Sequence, residues 1–179
     1  IVLVFGGSQG AQAINEAIIG IAKKNLNEEY QIMWATGPKQ YDLIKEKFEN
    51  ENLNINNIRN MKIVPYIYNM EEVMNLSDII VSRSGAMTVT EISNLGKPSI
   101  LVPLPNVSND HQLYNAKVLE KEKEKKIILN KNLTDKILHS QIEKLINNPE
   151  NMKEMGRKAR KSATENVEEK IYKEIKKCI

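Results

Sequence analysis

Cysteine is almost absent from this chain, because Cys178 is the only one in 179 residues. One cysteine cannot form a disulfide within a chain, so the composition excludes a disulfide-built fold and is compatible with a reducing compartment. Long apolar runs are absent too, and no stretch approaches the roughly 20 residues that span a bilayer. The short apolar start at Ile1–Val4 has no basic stretch, so we expect no signal peptide there.

An excess of one charge is also missing. Lys and Arg number 26 and Asp and Glu 23, a net charge of +3 that is too balanced to indicate a nucleic-acid partner. Hydrophobic residues make up 41% of the chain and charged residues 27%, which is typical of a soluble globular protein. The chain starts without Met inside a predicted core strand, so we expect a soluble domain cut from a longer protein.

Short apolar runs alternate with segments of helical periodicity, which predicts an α/β fold with a Rossmann-like, doubly wound parallel sheet. Several runs are continuously β-branched, as in strands buried on both faces. The predicted strands are 1–5, 31–36, 62–65, 78–82, 99–102 and 126–129. We predict a single domain over 1–179, with an α/β core over about 1–150 and C-terminal helices over 151–179.

Apolar stripes with helical spacing predict helices around 14–22, 89–95 and 137–146. Gly96-Lys97-Pro98 is a stop signal after the second of these, and Pro149 follows the third. Two further charged helices are predicted beyond Asn151, separated near residues 162–164, with Thr164 as an N-cap.

The best-known nucleotide-binding motifs are missing as well. The segment GGSQG at 6–10 is neither G-x-G-x-x-G nor a Walker A loop, which would need Gly-Lys-Ser/Thr. The second strand ends in ATGP at 35–38, without the acidic residue that binds ribose in dinucleotide folds, which argues against NAD. No D-x-D pair offers a site for a diphosphate-bound metal.

What is present is a glycine loop between the first strand and the first helix. The first N–H groups of a helix lack partners and the helix dipole adds positive charge there, so a glycine loop at this place can admit a phosphate. The candidate residues are Gly7, Ser8 and Gln9, of which Ser8 adds a hydroxyl donor. Taken alone, the loop is explained equally well as a structural turn.

A second strand-to-helix junction, SRSGAMTVTEI at 82–92, repeats this arrangement. Ser84 is the predicted N-cap, and Gly85 leaves the helix entrance open. Glu91 lies three residues after Thr88 on one helix face, and is either an exposed carboxylate or an acceptor for a ribose diol. Arg83 is either a phosphate ligand or, as we favour, a member of an ion pair.

A third polar stretch, DHQLYNA at 110–116, follows the fifth strand. His111, Gln112 and Asn115 offer imidazole and amide groups to sugar hydroxyls at the carboxyl edge of the sheet, where open α/β folds bind ligands. The competing interpretation is that Asp110 is only an N-cap and the histidine is a surface residue. His139, on a later amphipathic helix, is predicted to be structural or solvated.

Together, GGSQGA at 6–11, SRSGAMTVTEI at 82–92, GKPSILVP at 96–103 and DHQLYNA at 110–116 resemble the C-terminal domain of the MurG family. These peptidoglycan glycosyltransferases move N-acetylglucosamine from UDP-N-acetylglucosamine (UDP-GlcNAc) onto the undecaprenyl-linked muramyl-pentapeptide lipid I, which gives lipid II. The resemblance implies a GT-B architecture of two Rossmann-like halves, of which this half holds UDP-GlcNAc without a metal cofactor.

The resemblance also implies a role for each matching residue. Ser8 meets the diphosphate, the helix entrance at Ala86–Thr88 contacts diphosphate and sugar, and Glu91 holds the ribose diol. The backbone at Ile67, with Met70, flanks the uracil. The implied substrate-binding residues are Gly7, Ser8, Gln9, Ile67, Met70, Gly85, Ala86, Met87, Thr88, Glu91, His111, Gln112 and Asn115.

The family's N-terminal half carries the lipid I site, the expected catalytic base and the membrane-docking patch, and none of it is in this chain. The resemblance therefore implies that this chain has no catalytic residue, binds UDP-GlcNAc weakly and transfers nothing alone. For the full protein it implies peripheral attachment to the cytoplasmic face of the bacterial inner membrane. Three alternatives stay open: another GT-B enzyme such as a diacylglycerol glycosyltransferase, a non-catalytic subunit of a split transferase, and an NAD(P)-dependent oxidoreductase.

Overall fold

The computed structural model describes residues 1–105, 126–163 and 167–177. Within these ranges, six strands form one parallel sheet. They are β1 (Val2–Phe5), β2 (Ile32–Ala35), β3 (Met61–Val64), β4 (Ile79–Ser82), β5 (Ser99–Leu101) and β6 (Lys126–Ile127). All six predicted strands are confirmed, and their ends differ from the prediction by at most two residues.

The strand order β3-β2-β1-β4-β5-β6 confirms the doubly wound, Rossmann-like architecture. The chain builds the sheet outward from β1 to β3, then returns to the other side of β1 and builds from β4 to β6. Phe5 at the end of β1 pairs with Ser82 at the end of β4. The loops that follow these two strands therefore leave the sheet side by side at the topological switch point, where open α/β sheets bind ligands.

The described ranges contain seven α-helices. They are α1 (Gln12–Lys23), α2 (Pro38–Glu49), α3 (Met70–Leu76), α4 (Ala86–Leu95), α5 (Asp135–Ile146), α6 (Pro149–Lys161) and α7 (Val167–Lys177). None of these described helices has both the length and the apolar character to cross a bilayer. Helices α1 and α4 to α7 confirm predicted helices, whereas Thr164 lies outside the described residues. The sequence prediction missed α2 and α3, which bury few side chains: Ile44 and Phe48 in α2 and Met74 in α3.

The sheet is buried on both faces, as the continuous apolar strands predict. Val2 and Val4 of β1 join the larger core layer, with apolar residues of α1, α2 and α5. Leu3 and Phe5 join a smaller layer, with residues of α3 and α4. The loops that follow β1 and β4 therefore leave a sheet that is packed on both faces.

Two glycines let helices approach each other closely. A Cβ on Gly20 of α1 would lie 2.7 Å from the Cβ of Asp135, the first residue of α5. A Cβ on Gly156 of α6 would lie 2.4 Å from the carbonyl oxygen of Gly96. Gly96 is the left-handed C-cap of α4, with φ of 63°, which confirms the predicted stop signal.

Candidate functional site

The glycine loop after β1 is a turn closed by a hydrogen bond from the Gly10 N–H to the Gly7 carbonyl at 3.0 Å. Both glycines have left-handed φ angles, 80° at Gly7 and 75° at Gly10. Ser8 and Gln9 lie at the exposed tip. A Cβ on Gly10 would lie 2.3 Å from the Thr36 carbonyl oxygen, whereas a Cβ on Gly7 would meet no described atom within 4 Å. Packing thus requires Gly10, and the accessible side of the loop is at Gly7.

Helix α1 begins directly after this loop with an uncapped N-terminus. Its N-cap is Ala11, and among the described residues no side chain caps the helix and no acidic residue occupies its first turn. The first amides and the positive end of the helix dipole are therefore available to an anion.

The N-terminus of α4 has the same character. Gly85 is its N-cap, with φ of −64° and ψ of 145°, and within the described ranges this helix also lacks a side-chain cap and an acidic first turn. The prediction of Ser84 as N-cap was wrong, because Ser84 is fully buried one residue earlier. Ala86 and Met87 are exposed and Thr88 is half-buried. A Cβ on Gly85 would meet no described atom within 4 Å, so neither φ nor packing among the described residues requires glycine there.

The two helix entrances lie at the same edge of the sheet, one strand apart. Their strands, β1 and β4, are paired at Phe5 and Ser82. The helices themselves pack on opposite faces of the sheet, α1 in the larger core layer and α4 in the smaller one.

Arg83, between β4 and α4, makes structural hydrogen bonds. Its Nη1 donates to the Val102 carbonyl at 3.2 Å, the Pro103 carbonyl at 3.3 Å and Asn130 Oδ1 at 2.8 Å. Burial lowers the pKa of the guanidinium. These neutral oxygen partners replace the ion pair that we favoured from the sequence. Arg83 therefore ties the end of β4 to the end of β5.

Met70 and Glu91, both implied by the family resemblance, line one cleft between α3 and α4. The cleft has a volume of about 220 Å³. Its lining residues are Met70, Glu71, Met74, Glu91, Asn94 and Leu95. Glu91 is exposed to solvent at this cleft, so its carboxylate is available to a ligand.

Ile67 enters the smaller core layer and is 4% exposed, so only its backbone can serve a ligand. On either side of it are two exposed tyrosines, Tyr66 and Tyr68, whose rings meet edge to face with centroids 5.1 Å apart. The sequence analysis did not single out these tyrosines. The signal that could have revealed them is a pair of tyrosines on either side of Ile67, whose backbone is a candidate for binding the base.

The remaining predictions concern the third motif, His139 and a metal site. His111, Gln112 and Asn115 lie outside the described residues, as does the predicted helix start at Asp110. His139 is structural, as predicted: its Nδ1 lies 3.0 Å from the Tyr30 hydroxyl. No group of three or more His, Cys, Asp or Glu side chains in the described ranges could hold a metal ion.

The sequence analysis also missed Asn15, a polar residue on the buried face of α1. Asn15 is 2% exposed and stands beside Ile14 and Ile18, both fully buried. It accepts a hydrogen bond from Trp34 Nε1 at 3.0 Å and donates to the Thr36 carbonyl at 2.9 Å. A polar side chain within an apolar helical stripe was the signal that could have revealed it.

Comparisons with known proteins place this fold in a family. The model of the glycosyltransferase family 28 C-terminal domain matches residues 1–171. The UDP-N-acetylglucosamine--N-acetylmuramyl-(pentapeptide) pyrophosphoryl-undecaprenol N-acetylglucosamine transferase of Thermoanaerobacter sp. (strain X514) is 40% identical over 176 residues, which cover 98% of this chain and 48% of that protein. The transferase of the same name from Bacillus cytotoxicus is 36% identical over 178 residues, which cover 99% of this chain and 48% of the relative.

A solved structure gives the same result. The crystal structure of MurG from Acinetobacter baumannii matches with a TM-score of 0.82 and 31% identity, over 98% of this chain and 49% of that chain. The chain thus spans about half the length of the curated relatives it matches, 48% in each case above. Both helix entrances and the α3–α4 cleft lie within the matched residues 1–171, and the chain belongs to the glycosyltransferase family 28 C-terminal domain family.

Proposed function

We propose that this chain is the UDP-GlcNAc-binding domain of an N-acetylglucosaminyltransferase. The observation that carries the proposal is Gly85, which neither its φ nor any contact with the described residues requires to be glycine, at an uncapped helix entrance next to a second one. A phosphate that approaches the backbone does explain a glycine at this place. The names of the relatives, which are N-acetylglucosamine transferases, supply the identity of the sugar nucleotide.

In this proposal the diphosphate lies between the two helix entrances, with residues 7–9 on one side and residues 85–88 on the other. The ribose diol donates to the Glu91 carboxylate in the α3–α4 cleft. Met70 and the Ile67 backbone flank the uracil. The sugar is held by the polar residues of the third motif, His111, Gln112 and Asn115.

The proposed reaction is an inverting displacement at the anomeric carbon of N-acetylglucosamine. A hydroxyl of lipid I forms the new C–O bond, the C–O bond to UDP breaks, and the hydroxyl proton passes to a base outside this chain. UDP leaves with developing negative charge, which the helix-end amides and the Ser8 hydroxyl stabilise without a metal. One such hydrogen-bond donor is worth about 3–4 kcal/mol in a dry site.

We assign the lipid I site, the catalytic base and the attachment to the cytoplasmic membrane surface to the half of the relatives' length that this chain does not span. The product is then lipid II, and the full protein acts in peptidoglycan synthesis. Support for this assignment comes from the name shared by the relatives, which specifies a pyrophosphoryl-undecaprenol acceptor.

Calorimetric titration of UDP and UDP-GlcNAc onto the wild-type chain and Gly85→Ala tests the proposal. The added methyl meets no described atom within 4 Å, so both chains should unfold at the same temperature without ligand. The UDP affinity of Gly85→Ala should fall by about tenfold or more, or at least about 1.4 kcal/mol, because the methyl occupies the phosphate approach. Wild-type UDP affinity in Gly85→Ala contradicts the proposal, and so does tighter binding of NADH than of UDP.

A further inference from the structure

Asn15 stands at the centre of a buried polar network that joins three elements. Its Oδ1 accepts from Trp34 Nε1 of β2 at 3.0 Å. Its Nδ2 donates to the Thr36 carbonyl at 2.9 Å and to Gln40 Oε1 in the first turn of α2 at 2.6 Å. Both Nδ2 hydrogens and one oxygen lone pair are therefore in use. Trp34 and Thr36 are 0% exposed and Asn15 is 2% exposed, so the bonds to Trp34 and Thr36 are shielded from water, whereas the bond to Gln40 is part-buried.

The Thr36 and Gln40 groups that hydrogen-bond to Asn15 are also groups that the glycine loop contacts. A Cβ on Gly10 would lie 2.3 Å from the Thr36 carbonyl oxygen and 3.0 Å from Gln40 Nε2. A Cβ on Gly37 would lie 2.5 Å from the Gly10 nitrogen. The backbone of the loop is thus in direct contact with the β2–α2 turn, and Asn15 fixes both the carbonyl and the side-chain amide of that contact.

Asn15 also belongs to the helix that the loop opens. Its own N–H donates to the Ala11 carbonyl at 2.9 Å, the first backbone hydrogen bond of α1. A carboxamide in this apolar layer adds little net stability, because a hydrogen bond within the protein replaces one to water. What a fully satisfied buried network does provide is a single defined geometry.

We propose that Asn15 is a positioning residue for the glycine loop. Through Thr36 and Gln40, its carboxamide holds Gly10 and the α1 N-terminus at the place where their amides converge on a diphosphate. Trp34 donates to the same carboxamide, so a change in that geometry changes the surroundings of its indole ring. The role rests on the proposed nucleotide-sugar function, since it presupposes a ligand at the loop.

Asn27 offers a matched control at the other end of β2. It is 3% exposed, and its Nδ2 donates to the Arg59 carbonyl at 3.1 Å and the Asn60 carbonyl at 3.3 Å. Asn15→Ala and Asn27→Ala therefore both remove a buried amide that ties backbone carbonyls. Only Asn15→Ala removes an amide whose partners, the Thr36 carbonyl and the Gln40 side chain, contact the glycine loop.

The experiment measures UDP affinity and Trp34 emission in the wild-type 179-residue chain and both variants. Trp34 is the only tryptophan, so emission reports on this network alone. We expect both variants to unfold at lower temperature than wild type. Asn15→Ala should bind UDP about tenfold or more weakly and lose the emission change that saturating UDP causes in wild type, because the loop is misplaced. Asn27→Ala should keep wild-type affinity and the emission change.

Undiminished UDP affinity in a folded Asn15→Ala chain, or an equal loss in Asn27→Ala, overturns the positioning role and leaves the proposed function intact. A wild-type chain that binds no UDP overturns both. If Asn15→Ala does not fold, Gln40→Met decides, because it keeps the side-chain length and removes only the amide. Weaker UDP binding in Gln40→Met then supports the role, and wild-type affinity overturns it.

Discussion

Glu91 is an exposed carboxylate, a kind of residue that ordinarily needs no explanation. Glu91 is nevertheless a candidate ligand-binding residue, because it lies in the α3–α4 cleft together with Met70. It belongs to α4, the helix that begins at the Gly85 entrance. A carboxylate can accept two hydrogen bonds from a vicinal diol with its two oxygens. If the proposed function is correct, Glu91 should therefore distinguish a ribonucleotide from its deoxy form.

Comparison of UDP with 2′-deoxy-UDP tests this role. The wild-type chain should bind UDP more tightly by about 1.5–3 kcal/mol, the range of a hydrogen bond to a charged group. Glu91→Ala should weaken UDP binding and abolish the preference for the ribose form. Glu71→Ala is the matched control, because Glu71 is an exposed carboxylate in the same cleft, and it should keep the preference. A preference that survives in Glu91→Ala would contradict the ribose assignment.

Local sequence patterns predicted the residues whose signal is local and missed those whose partners are distant. Glycines at strand-to-helix junctions indicated Gly7 and Gly85 directly. Arg83 was misassigned because its partners lie 19, 20 and 47 residues away along the chain. Asn15 was missed because Trp34 and Gln40 reach it only once β1, β2 and α2 are assembled.

Among the elements, α1 and α5 are joined by contacts that respond to pH. Gly20 admits the Asp135 side chain, and that carboxylate is ion-paired with Lys24 at the C-terminal end of α1. The hydrogen bond from Lys24 is the main reason that the pKa of Asp135 is lowered. A carboxyl group whose pKa is lower in the folded chain stabilises that chain above its unfolded pKa of about 3.9. The stabilisation is lost as pH falls through the folded pKa.

Asp135→Asn should therefore lower the free energy of unfolding by about 0.5–1 kcal/mol at neutral pH, the range for a partly exposed ion pair at a helix N-terminus. The difference from wild type should stay constant down to about pH 5 and shrink below about pH 4. Urea unfolding at a series of pH values measures it. In a Lys24→Met background, the same substitution should have a smaller effect. A difference that persists undiminished in acid would refute the linkage.

Element prediction succeeded where burial on two faces imposes a continuous apolar run, as in β1 and β4. It failed for α2 and α3, since each presents a narrow buried stripe: Ile44 and Phe48 in α2 and Met74 in α3. The strand order could not be read from local patterns either. It depends on the long-range pairing of Phe5 with Ser82, which brings the two glycine motifs together.

On the scale of the whole molecule, the proposed function divides binding of the sugar nucleotide, in this chain, from the catalytic base, outside it. The chain spans 48% of the length of its Thermoanaerobacter relative. We therefore expect this chain to bind UDP-GlcNAc without transferring the sugar, so that binding and transfer can be measured separately.

The 179-residue chain should gain thermal stability with UDP-GlcNAc yet transfer no N-acetylglucosamine. Ligand at about one hundred times Kd should add roughly 2.7 kcal/mol to the free energy of unfolding, because only the folded chain binds it. Transfer of labelled sugar from UDP-GlcNAc to lipid I in vesicles measures the second part, with MurG from Acinetobacter baumannii as the positive control. Labelled lipid product from the chain alone would disprove the division of roles.

The contrast between Gly85 and the tightly packed Gly10 and Gly156 has a consequence for evolution. A mutation at position 10 or 156 is exposed to selection through folding, because a methyl there collides with backbone. A methyl at position 85 collides with none of the described atoms, so within the described residues folding does not constrain that position. If the proposed function is correct, a descendant of this domain that keeps Gly10 and Gly156 but carries a side chain at position 85 should fold and should no longer bind a sugar nucleotide.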